Sequence, residues 1–200
     1  MDRKDKTHKI YLMFSRSNTL LSKAIYKRTK EDYTHVAISL DDTFDTFYAF
    51  GRRYPAFMLP AGFTKESPFN GLYEKNQDIN IKIVSIEVNE SQYESISNHL
   101  SKMYEERFNY KYDILGVMLC NGNITLERKY HKFCSEFISE LLSSNGVINI
   151  FKSPKHIRPY ELSTMKDFDL EFEGNVYELS RACNNDNASY SYLSDIYEPV

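Results

Sequence analysis

Between residues 10 and 14 the chain runs Ile-Tyr-Leu-Met-Phe without a polar break, which predicts a short buried strand. The period then changes. In SNTLLSKAIYKRT (17–29), Leu20, Leu21, Ala24 and Ile25 recur at helical spacing behind a cap at Ser17 or Asn18, so a helix is expected. YTHVAISLDDTFDTFYAFGRR (33–53) reads as two strands around a turn at Asp41-Asp42-Thr43. From Tyr54 to Gln77 periodicity lapses amid three Pro and two Gly, and a long loop is expected. INIKIVSIEV (79–88) is a strand apolar on both faces. NESQYESISNHLSKMYEER (89–107) is a helix capped by Asn89, with Tyr93, Ile96, Leu100 and Met103 as its buried stripe. YKYDILGVMLC (110–120) predicts a shorter helix, and KFCSEFISELLSSNG (132–146) the clearest one, stopped by Asn145-Gly146. DLEFEGNVYEL (169–179) reads as a closing hairpin or strand pair.

Strands and helices are mixed without a βαβ repeat, which favours an α+β fold with a mainly antiparallel sheet. No internal repeat or glycine-rich linker divides the chain, so residues 1–183 are expected to form one domain, followed by a loose polar tail at 184–200. With 42% hydrophobic residues, including 13 Phe and 16 Tyr, a full core is available to a chain of 200 residues. The net charge of −3 gives no general basic field, and a nucleic-acid partner is not expected. The apolar run near the N-terminus has only five residues, too short for a secretion signal or an integral membrane segment, so a cytoplasmic protein is expected.

Cys120, Cys134 and Cys183 are odd in number and widely spaced, with no C-x-x-C pair, and read as free thiols. Cys134 stands out. Phe137, Ile138, Leu141 and Leu142 follow it by three, four, seven and eight residues, so it lies on the buried face of its helix at the first turn. Unpaired N–H groups and the positive end of the helix dipole gather there, and both favour thiolate. The backbone N–H of Cys134 is a candidate oxyanion donor. The competing reading is a small core side chain.

His35 opens the VAISL strand, where an imidazole is held firmly enough to act as a base. His8, His99 and His131 are weaker partners by position, and His156 is the one serious rival. A hairpin turning at 41–43 brings residue 48 near residue 35, which makes Tyr48 a candidate to orient the imidazole; a backbone carbonyl is the alternative. No metal or organic cofactor is implied, since Cys134, His35 and His131 lack ligand spacing.

THVAI followed by FYAFGRR, then YKYDILG, then KFCSEFISELL resembles the circularly permuted papain-like amidases and peptidases. These are relatives of the NlpC-type bacterial cell-wall peptidases, and lecithin:retinol acyltransferase lies on the same permuted branch. The likeness spans roughly residues 10–165, and its histidine strand precedes its cysteine helix, as the permuted form requires. It implies a papain-like α+β fold with the Cys134 helix against the His35 strand. By the same resemblance Tyr112, in the Tyr-Asp segment, borders the oxyanion site. The family's third polar residue (Glu, His or Gln) belongs in the strand after the histidine strand, but FYAFGRR offers none. Either Tyr48 substitutes, or the orienting group lies elsewhere, or activity is reduced.

The expected chemistry is hydrolysis of an amide, or an ester, through a thioester on Cys134 with His35 as base. An acyltransferase or lipid-directed enzyme is the nearest alternative, and a catalytically inactive binding module on the same fold is the third. Small peptides, acylated amino compounds and lipid-like molecules are the substrate classes in view.

Overall fold

The structure is a computed structural model, and it describes residues 6–16, 20–54, 59–120 and 127–183. In chain order its elements begin with β1 (Thr7–Ser15), α1 (Leu20–Thr29), β2 (His35–Ser39), β3 (Phe47–Arg52), β4 (Ala61–Glu66), α2 (Gly71–Glu74) and β5 (Asn80–Asn89). They continue with α3 (Glu90–Glu105), β6 (Lys111–Tyr112), α4 (Ile114–Leu119), β7 (His131–Lys132), α5 (Cys134–Ser144), α6 (Pro159–Ser163) and β8 (Asp169–Asn175). A last helix, α7, follows at 176–183.

Six strands form an antiparallel sheet in the order β4-β3-β2-β1-β5-β8. The apolar run at 10–14 becomes its centre, β1, with Ile10, Leu12, Met13 and Phe14 fully buried. Alternation then sorts side chains onto two faces. Ile10, Leu12, Phe14, Val36, Ile38, Phe50, Phe63, Val84, Ile86 and Val88 point to one face. Against it pack Ile96, Leu100 and Met103 of α3 and Phe137, Ile138, Leu141 and Leu142 of α5. The rings of Phe50, Phe63 and Phe137 meet there with centroids 5.3–5.5 Å apart. Burying one such side chain contributes about 1.5–3 kcal/mol, so this layer is the main support of the fold. The opposite face carries Tyr11, Met13, Ala37, Phe47, Ala49, Ile81 and Ile83, covered by Tyr73 of α2 and by Val176 and Leu179 of α7.

The helix ends follow their sequence signals. Asn89 accepts from the Gln92 N–H while the Gln92 side chain accepts from the Asn89 N–H, a reciprocal cap on α3. Gly146 takes φ +65° just past α5 and stops it.

Four expectations are corrected. The helix expected over 110–120 is shorter, because Lys111–Tyr112 form β6 and α4 starts only at Ile114. The stretch 54–77 is not all loop, because it holds β4 and α2. Residues 169–179 are not a hairpin: β8 alone pairs with β5, and Asn175 then caps a helix by accepting from the Glu178 N–H. The turn between β2 and β3 spans residues 40–46, longer than the expected 41–43. The polar tail at 184–200 lies outside the described residues.

Candidate active site

The site forms where β2 begins and α5 begins. Next to them a two-stranded parallel ladder pairs Lys111 with His131 and Tyr112 with Lys132, which fixes Tyr112 beside the chain just before Cys134. The next residue, Asp113, is buried and caps α4 by accepting from the Gly116 N–H at 3.0 Å; Arg128 donates to the same oxygen at 3.1 Å.

Cys134 is 2% exposed and opens α5. Burial alone would push its thiol up. A side-chain hydrogen bond with His35, the charge of that imidazole, and hydrogen bonds from the backbone N–H groups of Val36 and Ser135 outweigh burial, and the thiol lies below its ordinary value. His35 mirrors this. Burial would lower the imidazole, yet the Glu66 carboxylate and the hydrogen bonds with Cys134 and Glu66 hold it well above the usual range. Both shifts point to the same state, a thiolate beside an imidazolium.

The group that orients His35 is Glu66, at the end of β4. His35 Nε2 donates to Glu66 Oε1 at 2.8 Å, with each side chain 19% exposed. Since Nε2 is engaged, Nδ1 is left for the sulfur. The register explains how a residue two strands away reaches the ring. Ile38 pairs with Tyr48, so His35 stands level with Gly51, and Gly51, Ala49 and Glu66 share its face of the sheet. That floor is low: a Cβ at Gly51 would sit 3.6 Å from Glu66 Oε2 and 3.7 Å from His35 Cε1. Two long side chains can therefore lie across it and meet.

Tyr48, the expected orienting residue, is on the other face. It stacks on Phe63, meets Tyr104 edge-on, and has Lys65 Nζ 5.0 Å from its ring centroid. The register decides this: Ile38 pairs with Tyr48, so Tyr48 shares the face of Ile38 and not that of His35. Glu66 was missed because it lies in the stretch read as loop.

Tyr112 does come to the sulfur. Burial, then the neighbouring Cys134 charge and a hydrogen bond with it, hold its hydroxyl well above its ordinary value, so it stays protonated and able to donate. Behind His35, Ser15 is its pairing partner on β1, and Ser15 Oγ lies 2.9 Å from the Tyr73 hydroxyl in a buried contact.

The remaining candidates are structural. His156 Nδ1 engages the Cys120 carbonyl at 3.2 Å, His131 Nδ1 engages the Lys129 carbonyl at 2.9 Å, and His8 bonds Glu90 and stacks on Tyr93. Cys120 is buried, and desolvation holds its thiol at about 11. Arg53 donates through Nη2 to the carbonyls of Arg107 and Tyr110, tying the end of β3 to the chain that leads to Tyr112. Glu136 turns back to accept from the Phe133 N–H at 3.4 Å.

Beside Cys134 lies an open pocket walled by Ala24, Ile25, Val117, Met118, Phe133 and Pro159. Its polar rim holds Glu31, paired with Arg158 at 2.8 Å. The arrangement brings together a thiol with a lowered pKa, an imidazole bonded to a carboxylate, a protonated phenol and an open pocket. No family model, curated protein or solved structure matches the chain.

Proposed function

We propose that this protein is a cysteine hydrolase on a circularly permuted papain-like fold, acting on an amide or ester bond. The observation that carries the reading is the unbroken line from Cys134 through His35 to Glu66. His35 takes the thiol proton, and the thiolate attacks the substrate carbonyl carbon. The resulting oxyanion accepts hydrogen bonds from the Tyr112 hydroxyl and from backbone N–H at the start of α5, each worth about 3 kcal/mol in such sites. The imidazolium returns its proton to the departing amine or alcohol, leaving a thioester on Cys134. Water, deprotonated by His35, then cleaves that thioester and frees the acid.

Glu66 supplies the third residue whose absence from FYAFGRR favoured an inactive binding module. The apolar pocket walls favour a second reading within the same chemistry, in which the acyl group is lipid-like and the acceptor is not water.

The test is the rate of iodoacetamide labelling at each cysteine between about pH 4 and pH 9, in the parent and in His35→Ala. In the parent, reactivity at Cys134 is expected to appear at lower pH than for a free thiol, rising as pH passes its lowered value, while Cys120, its thiol held at about 11, stays unlabelled as an internal control. His35→Ala should remove that downward shift. Ordinary titration of Cys134 near the free thiol value of about 8.5, whatever occupies position 35, would overturn the proposal.

A further inference from the structure

Two unlike surfaces flank the mouth of the pocket beside Cys134. One is α4. All of its side chains are apolar apart from Gly116, and none is buried; Leu115 is 53% and Met118 44% exposed. Such exposure of an all-apolar helix contrasts with α3 and α5, whose apolar stripes are covered. The other surface is α1. Lys23, Lys27 and Arg28 lie on it with no acidic residue between 20 and 30, in a chain of net charge −3. Ala24, Ile25 and Arg28 of α1 and Val117 and Met118 of α4 line the same pocket, so α1, which also carries Lys23 and Lys27, and apolar α4 meet at one mouth. The acid on that rim, Glu31, is already neutralised by Arg158.

The geometry points to a membrane-docking face: we infer that α1 and α4 seat the pocket mouth on an anionic lipid surface. Apolar side chains enter the headgroup boundary while cations meet lipid phosphates, the pairing of features that holds proteins at an interface without spanning it. No helix among the described residues is long and apolar enough to cross a membrane, so the contact is peripheral. A second protein with an acidic, apolar surface is the competing occupant, but nothing in the fold outlines one. The use of the docked lipid rests on the thiol reading, since a chain entering the pocket brings its acyl bond to Cys134; the docking itself does not.

The experiment is flotation of the full chain with phosphatidylcholine vesicles, with and without phosphatidylglycerol. Binding is expected only with phosphatidylglycerol and should weaken as salt screens the charges. Lys23→Glu with Lys27→Glu should abolish it, each lost cation counting about fivefold before reversal is considered. Leu115→Ser with Met118→Ser should reduce it about tenfold or more, and these exposed positions leave the core untouched. Cys134→Ala should bind like the parent, which separates this inference from the catalytic one. Failure of the parent to float with phosphatidylglycerol, or flotation that neither double variant changes, would overturn it.

Discussion

The two faces of the sheet are built to different ends. The face under α3 and α5 is filled with Ile, Leu, Val and Phe, and it has the interlocked rings of Phe50, Phe63 and Phe137 at its centre. The other face is lower and more polar. Ala37, Ala49 and Gly51 leave space, and His35, Glu66, Ser15 and Tyr73 use it. One face supplies cohesion; the other gives up some of it to hold a half-buried charge pair in a fixed pose. Cys134 belongs to the first and His35 to the second, and they meet where β2 begins. A dyad divided in this way is held on each side by a separate layer, so neither partner drifts without disturbing one of the two cores.

The contrast can be broken most severely on the packed face. Phe63→Ala removes a fully buried ring touching Phe50, Phe137 and Tyr110, and should cost about 3–5 kcal/mol in a urea unfolding titration. On the polar face the order of effects reverses. Glu66→Gln should lower labelling of Cys134 at pH below the free-thiol pKa by about 10–100-fold, the worth of a hydrogen bond to a charged group, while the unfolding midpoint moves little. Its pH profile sharpens the point. In the parent, reactivity should rise through the lowered Cys134 value, and the ion pair should persist until pH passes the raised His35 value. Without the Glu66 charge that upper limit should move down. Tyr73→Phe leaves Ser15 without its buried partner and should cost about 1–2 kcal/mol of stability by the same titration. Tyr48→Phe, at the position expected to orient the base, should change labelling at Cys134 not at all and stability by under about 0.5 kcal/mol.

Period and caps made the packed face legible. β1, β2, β5, α3 and α5 all follow from apolar spacing, because a side chain facing a thick core must recur at the period of its element. The low face was harder to read for the same reason: Gly62 and Thr64 of β4 give no periodic signal, so the strand carrying Glu66 passed for loop. In the site, Cys134 and His35 were visible because each begins a strongly patterned element. Tyr112 came only through a family likeness. Glu66 depended on a register set by turn length, and residues 40–46 contain nothing as explicit as Asn-Gly to fix it. One signal was present and passed over: Asn175-Val-Tyr-Glu178 is a capping box, and it announces α7 where a second strand was expected.

The sheet order also has a consequence for synthesis. The chain lays down β1 to β4 as a meander of neighbours and returns β5 to the open side of β1 before residue 90. His35 and Glu66 are thus in place in the first half of the chain, whereas Cys134 emerges only with α5. A growing chain therefore carries His35 and Glu66 long before Cys134, and during that interval the surface destined for α5 is bare. The thiol becomes acidic only when its helix closes over that surface, so a prematurely ended product carries no activated cysteine.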